Sequence, residues 1–204
     1  MQPDARSRCL AAVVCKWVFI AWLLGSATAG RAESDTMLID EFSRQDFVSN
    51  LGTQWRAVSD QVMGGVSHAS LAYDAVNGKP CLHLTGDVRL DNNGGFIQAA
   101  LDLAPPGQTL DASGYAGIRL VVRGNSQQYS LHLRTPDAVR PWQSYRAHFS
   151  AGPEWETIDL PFDLFVPHRL ESALDRKHLV RMGLVAIGRA FSADLSIARV
   201  SLYR

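Results

Sequence analysis

The sequence lacks the residue patterns that build most catalytic and metal centres. It has 3 cysteines in 204 residues. Cys9 and Cys15 lie in the N-terminal stretch that we expect to be cleaved off, so Cys81 would have no partner for an intramolecular disulfide. The six histidines show no His-x-His or His-Glu-x-x-His spacing, and no glycine-rich phosphate loop precedes a helical pattern. We therefore expect no metal site and no cofactor. Cys81 lies in a strand-like run and is expected to be a small buried residue.

Apolar runs long enough to span a membrane are also missing. The run from Trp17 to Leu24 is bounded by Lys16, so it falls short of the roughly 20 residues that a span needs. Arg6 and Arg8 precede it, and the small residues Ala27-Thr28-Ala29 follow it, as in a secretory signal peptide. We expect a cleaved signal peptide over residues 1–29 and an exported, periplasmic protein. An uncleaved anchor, which would bring contact with a membrane, is the alternative.

An excess of charge of one sign is absent as well. Removing 29 of the 204 residues leaves 175, and it removes three of the 20 basic and one of the 20 acidic residues. The 17 basic and 19 acidic residues that remain give no electrostatic footprint for nucleic acid, so we expect no such partner. A chain of this length suits one domain with a sizeable core.

What the sequence does contain is period-two alternation, broken by Gly, Pro, Asn and Asp. The strand-like segments are 37–42, 71–73, 81–84, 96–103, 118–123, 129–134, 143–149, 155–160, 181–187 and 195–202. Helical patterns are restricted to a turn or two at 45–49 and at 170–179. We predict an all-β fold: a polar lead-in at 30–36, then a single antiparallel β-sandwich over 37–204. A parity switch in the last strand predicts a bulge near Ala198-Arg199.

The most distinctive segment is 55–67, WRAVSDQVMGGVS, which we call the signature segment. It opens on Trp55, holds the pair Ser59-Asp60, and ends at Gly64-Gly65 and Ser67. Adjacent glycines indicate a positive φ or a close approach of another chain segment. Two interpretations stay open: a fixed binding element, or a hairpin corner whose Asp60 caps its own turn. In the second we expect Trp55 in the core and Asp60 bonded to nearby backbone amides.

A candidate binding face follows from strand parity. In segments 118–123, 129–134 and 143–149 the apolar residues share one side, which leaves arginines and histidines on the other. If these strands are neighbours in one sheet, they form an Arg/His face with an aromatic residue at its rim, suited to carboxylates, sugars or an acidic protein surface. A merely solvated sheet face is the alternative. The residues of this face are Arg119, Arg123, His132, Arg134, Trp142, Arg146 and His148.

Other candidates for chemistry are weak. Ser67 lies in Gly-Val-Ser-His-Ala, which lacks the final Gly of a nucleophile elbow. The oxygen-rich loop from Asp87 to Gly95 could hold calcium, but it lacks the spaced acidic ligands of an EF-hand and reads as an ordinary turn. We predict no catalytic residues and no enzyme activity.

Together these motifs resemble the NADH:ubiquinone oxidoreductase complex I intermediate-associated protein 30 family. The signature segment is followed in order by Gly95-Phe96, by 113–118, by the strand segments from Tyr129 and Tyr145, by 155–165 and 182–184, and by the closing strand. The resemblance covers roughly residues 38–204. It implies a galactose-binding-like, jelly-roll sandwich similar to carbohydrate-binding modules. It also makes Trp55, Ser59, Asp60, Gly64, Gly65 and Ser67 a structural family signature.

The resemblance further implies a non-enzymatic protein, because the mitochondrial relatives assemble respiratory complex I. A secretory leader would separate this chain from the matrix-side arm on which those relatives work. The leading hypothesis is an assembly or chaperone-like factor that binds a protein partner, such as a respiratory or envelope complex. The alternative is an exported carbohydrate-binding module that binds a glycan.

Overall fold

The computed structural model describes residues 36–204. The predicted signal peptide and residues 30–35 of the lead-in lie outside this range. The first described strand begins at Thr36, one residue before the predicted boundary of the sandwich. Alternating sequence produces twelve strands in the described range. They are β1 (Thr36–Asp40), β2 (Trp55–Ser59), β3 (His68–Val76), β4 (Lys79–Val88), β5 (Phe96–Asp102), β6 (Gly117–Gly124), β7 (Gln127–Arg134), β8 (Ser144–Ala151), β9 (Glu156–Pro161), β10 (Val166–His168), β11 (Arg181–Ile187) and β12 (Phe191–Tyr203).

The strands form two antiparallel six-stranded sheets. Sheet I has the order β3-β4-β12-β6-β9, with β1 also paired to β12, and sheet II has the order β10-β8-β7-β11-β5-β2. The inward side chains of both sheets form one continuous hydrophobic core. The predicted fold class, a single antiparallel β-sandwich of jelly-roll, galactose-binding-like type, is confirmed.

Local details agree with the sequence in some places and correct it in others. The predicted bulge is present, because the register of β12 against β6 shifts between Ile197 and Arg199. Cys81 is a buried free thiol on β4, as expected. The helical turns predicted at 45–49 and 170–179 are wrong: both segments lack helix. Leu170 and Leu174 pack against the core from an irregular segment, and Leu179 bridges to Leu110, so tertiary contacts override the local pattern.

The helices of the described range are three short 3₁₀ turns, Asp60–Met63, Asp91–Asn93 and Phe162–Leu164. Within residues 36–204, no helix has the length and apolar character to cross a membrane.

Candidate functional site

The signature segment begins with β2, the strand at one edge of sheet II, whose first residue is in the core. Trp55 is buried, and its indole Nε1 donates a 2.8 Å hydrogen bond to Oδ2 of Asp40. The other carboxylate oxygen of Asp40 accepts the backbone N–H of Phe42 at 2.9 Å. Burial raises the pKa of Asp40, although these hydrogen bonds oppose the shift. Trp55 therefore anchors β2 to the end of β1 through the core, where the sequence places it.

Asp60 is fully buried and joins two loops. Its Oδ1 accepts the backbone N–H of Ser67 at 2.9 Å, and its Oδ2 accepts the hydroxyl of Ser67 and the N–H groups of Gly95 and Phe96. Burial alone would raise the pKa of Asp60, but the hydrogen bonds from Ser67 and Gly95 outweigh it and hold that pKa below its ordinary value. Asp60 thus bonds to backbone amides, as expected, and reaches beyond its own turn.

The two glycines of the signature segment are needed for different structural reasons. Gly64 has a φ of 88° and ends the 3₁₀ turn in a left-handed conformation. Gly65 lies against Asp60, because a Cβ on it would stand 2.3 Å from Cγ of that residue. Ser59 caps the turn by accepting the N–H of Gln61. The segment is a packed junction between β2, the start of β3 and the loop before β5.

A cleft lies on the outer face of sheet II, next to this junction. It encloses about 430 Å³, which falls in the range of small-ligand sites. Val62 and Met63 of the 3₁₀ turn, with Gly94 and Gly95, form one wall, and Pro141 and Trp142 lie on the opposite side. The floor comes from alternate residues of neighbouring strands: Gln98, Ala100, His132, Arg134, Ser144, Arg146, Arg181, Gly183 and Val185. Asp60 therefore fixes the two loops that supply one wall of this cleft.

His132 lies in the middle of the cleft floor with an unpartnered ring nitrogen. The residue is 9% exposed, and its Nε2 is buried without a hydrogen bond to any described group. Burial, together with nearby Arg146, His148 and His168, lowers the pKa of His132 to about 3, so the imidazole is neutral at pH 7. A buried polar atom without a partner is unfavourable unless something else satisfies it.

Two arginines of the floor are half-buried and donate hydrogen bonds only to neutral groups. Nη2 of Arg134 donates to the carbonyl oxygens of Ala138 and, at 3.1 Å, Arg140, which ties the loop after β7. Nε of Arg146 donates to the Ser144 hydroxyl at 3.0 Å. Burial lowers the pKa of both guanidinium groups. The positive charge of Arg181 adds to this shift at Arg134, and that of Arg169 adds to it at Arg146. Among residues 36–204, neither arginine has a carboxylate partner.

At the end of the floor an acidic group bridges two arginines. Oδ1 of Asp102 accepts Nε of Arg181 at 2.6 Å, and Oδ2 lies 2.8 Å from Nη1 of Arg56. These contacts lower the pKa of Asp102 although burial opposes the shift. Further along β5, the side chain of Gln98 lies over Gly183, where a Cβ would stand 2.0 Å from its Nε2. A glycine at this position leaves room for the amide of Gln98.

The structure gathers part of the predicted Arg/His face and divides the rest. His132, Arg134, Trp142 and Arg146 line the cleft, and His148 lies on the same face of β8, outside the lining. The assignment of Arg119 and Arg123 to this face is wrong, because both lie on β6 of sheet I.

The reason is the connection after β6. The turn after Gly124 carries the chain from sheet I to sheet II, so β6 pairs with β9 and β12 while β7 pairs with β8 and β11. On sheet I, Arg119 forms a two-pronged ion pair with Asp159, with N···O distances of 2.6 and 2.7 Å.

The prediction missed several cleft residues on strands that it identified. Arg181, Gly183, Gln98 and Ala100 occupy the outward positions of segments 181–187 and 96–103, so strand parity alone assigns their direction. Their adjacency to β7 depends on the strand order. Val62 and Met63 are exposed apolar residues of the 3₁₀ turn, and no periodic pattern marks them.

The weaker candidates have local partners. Ser67 is buried and bonded to Asp60 and Arg89. Asp87 accepts the Ser192 hydroxyl, and Asp91 pairs with Arg89 at 3.1 Å. Over the described part of the chain, no group of three or more His, Cys, Asp or Glu side chains is arranged to hold a metal ion.

Comparison with known proteins gives a family match and several similar folds. The family model for Complex I intermediate-associated protein 30 (CIA30) matches residues 41–197. A search of curated proteins finds no match. Among solved structures, the family 11 carbohydrate-binding module from Clostridium thermocellum, in complex with a β-1,3-1,4-mixed-linked tetrasaccharide, superimposes with a TM-score of 0.64 at 13% identity, covering 83% of this chain and 95% of that one.

A second module is similar over a comparable length. The family 30 carbohydrate-binding module of a cellulosomal cellulase of Clostridium thermocellum has a TM-score of 0.58 at 14% identity, covering 82% of this chain and 96% of that one. At these identities the likeness is one of fold.

Proposed function

The chain belongs to the Complex I intermediate-associated protein 30 family, and on that premise we propose that it is a non-enzymatic binding protein whose cleft on sheet II holds a glycan. The observation that carries the proposal is a floor of outward polar groups that the protein leaves open. The Nε2 of His132 has no partner, and Arg134 and Arg146 contact no carboxylate in residues 36–204. Polar groups held in this way suit a ligand rich in hydroxyl groups.

The shape of the cleft supports the same proposal. Its floor crosses several strands of one sheet, and Trp142 stands at the rim with 49% of its surface exposed. An exposed indole beside open hydrogen-bonding groups offers an apolar surface for one face of a sugar ring. The similar family 11 module was solved with a tetrasaccharide, which agrees with a glycan as the ligand class. If the predicted signal peptide directs export, the protein would meet such a ligand in the periplasm.

A glycan array, followed by titration of the glycans that are retained, tests this function. We expect the wild type to retain at least one glycan class and the Trp142→Ala variant to lose most of that affinity. Arg119→Ala serves as the control, since it changes a partly exposed residue on the other sheet. Absence of any retained glycan, or equal binding by the Trp142→Ala variant, would overturn the proposal.

An assembly or chaperone-like role is the second candidate, and the family favours it. Val62, Met63 and Trp142 expose apolar surface at the cleft walls, which a protein partner could cover. This role predicts co-purification with a defined envelope or respiratory complex, lost in an Arg134→Ala, Arg146→Ala double variant. Co-purification that persists in the double variant, or that never occurs, would count against it.

A further inference from the structure

We infer that the occupant of this cleft is an acidic glycan, one whose uronate carboxylates bind the arginines of the floor. This inference rests on the proposed function and specifies its ligand class. The residues that line the cleft include Arg134, Arg146 and Arg181, and they include no Asp or Glu. A concave site lined by charge of one sign concentrates ligands of the opposite sign.

The register of sheet II places like charges side by side. Arg134 on β7 stands directly opposite Arg181 on β11, whereas the residue opposite Arg146 on β8 is the neutral His132 of β7. Like charges at directly opposed positions of a sheet are unfavourable. Asp102 compensates Arg181, but it lies outside the lining and leaves the other two arginines uncompensated. A carboxylate from the ligand would supply the missing charge.

The guanidinium groups retain donors for such a ligand. In Arg146 the assigned hydrogen bonds use Nε and Nη2, and in Arg134 they use Nη2 alone. A guanidinium has five N–H donors in a planar fork that matches the two oxygens of a carboxylate. Charge-assisted pairs of this kind are shorter and stronger than neutral hydrogen bonds.

The remaining groups favour a saccharide over an acidic peptide. The neutral imidazole of His132 lines the cleft floor, and an imidazole can donate a hydrogen bond to a hydroxyl group or accept one from it. Only Phe96 and Trp142 among the lining residues are aromatic, so stacking supplies a limited share of the binding and the charges supply the rest. An extended peptide would pair with a free strand edge, but the cleft floor is the face of central, already paired strands.

The test compares glycans that differ only in charge. Titration calorimetry on the full mature protein would use tetragalacturonate, tetramannuronate and a hyaluronan tetrasaccharide, each against its methyl ester. We expect at least one acid to bind tenfold or more tightly than its ester. That difference should shrink as salt is raised from about 20 to 500 mM, because salt screens charge pairs. The Arg134→Gln, Arg146→Gln double variant should lose the preference, and Arg119→Gln should keep it.

Each other result has a defined meaning. Equal binding of acids and esters through the cleft would overturn the acidic class and leave the glycan function standing. Failure of every acid and ester, together with an empty glycan array, would overturn both. Poly-glutamate binding as tightly as the best uronate would overturn the saccharide in favour of an acidic protein segment. If the double variant unfolds, the salt dependence of the wild type still decides between acid and ester.

Discussion

Two neighbouring regions of sheet II bury polar groups, but only one of them supplies those groups with hydrogen-bond partners from the protein. In the signature segment, both carboxylate oxygens of Asp60 accept hydrogen bonds from the protein itself. In the cleft, the Nε2 of His132 has no partner in the described structure, and Arg134 faces another arginine across the strand. Groups satisfied by the protein serve folding, whereas groups left open reduce stability unless a ligand completes them. The signature segment thus supports the fold, and the cleft is the site that we propose for function.

The outer faces of the two sheets repeat the contrast. Arg119 on sheet I stands opposite Asp159 and binds it with two hydrogen bonds, while Arg134 on sheet II stands opposite Arg181. Strand parity in the sequence predicts outward arginines on both sheets and gives no way to tell the two faces apart. The residues opposite these arginines on the neighbouring strands distinguish the two faces.

Removing the carboxylate of the signature segment should have the largest effect. We expect Asp60→Ala to lower the free energy of unfolding by about 3–5 kcal/mol, because several buried donors lose their acceptor at once. Urea unfolding at pH 7 measures this effect. A loss below about 1 kcal/mol would mean that water replaces the carboxylate and that the junction is not essential to the fold.

Acid should act on the cleft through His132. Its pKa is about 3 in the folded protein and about 6.5 in an unfolded chain, so below pH 6.5 the unfolded state binds a proton that the native state does not. Protonation therefore favours the unfolded state, and the free energy of unfolding falls as pH falls from about 6.5 towards 3. Between pH 7 and 4.5 we expect the wild type to lose on the order of 2–3 kcal/mol more than His132→Gln. Parallel pH curves for the two proteins would contradict this.

A methyl group in the signature segment should have an intermediate effect. In Gly65→Ala the new Cβ meets the Asp60 carboxyl group, so we expect a loss of about 1–2 kcal/mol in the free energy of unfolding. Gly114→Ala is the matched control, since no atom lies within 4 Å of its new Cβ. Equal stability of the two variants would show that Asp60 moves aside at little cost.

The smallest effect belongs to the ion pair of sheet I. Arg119 and Asp159 are both partly exposed, so solvent screens their attraction and Arg119→Ala should change the free energy of unfolding by less than about 1 kcal/mol. Glycan affinity, measured by titration, should stay within twofold of the wild type. A larger loss of affinity would move the binding face to sheet I and reverse the contrast between the sheets.

The sequence predicts ten of the twelve described strands and the direction of their side chains, because alternation and burial are local properties of a sheet. It does not predict β2 or β10 as strands. It predicts the bulge in β12 for the same reason, since apolar parity changes at Ala198. The sheet to which a strand belongs is a global property: β6 and β7 are consecutive, yet the turn after Gly124 sends them to different sheets. That connection separates Arg119 and Arg123 from His132. The pairing of β11 with β7 places Arg181 beside Arg134. Strand parity determines neither arrangement.

The helical turn predicted at 170–179 is absent for a related reason. Leucines at 170 and 174 repeat at helical spacing, but the same side chains also pack on the core from an irregular segment tied to Leu110 through Leu179. The role of Asp60 is likewise split between local and distant contacts. Its bonds to Ser67 lie within the signature segment, whereas those to Gly95 and Phe96 depend on β5 pairing with β2.

The most direct test of the contrast is the urea-unfolding free energy of His132→Leu at pH 7, with Asp60→Ala measured alongside. If His132 is kept for a ligand, replacing its unpartnered imidazole with an apolar side chain of similar reach should leave stability equal to the wild type or up to about 1 kcal/mol higher. A loss of more than about 2 kcal/mol, approaching that of Asp60→Ala, would show that His132 supports the fold and would contradict the account of the cleft as an open site.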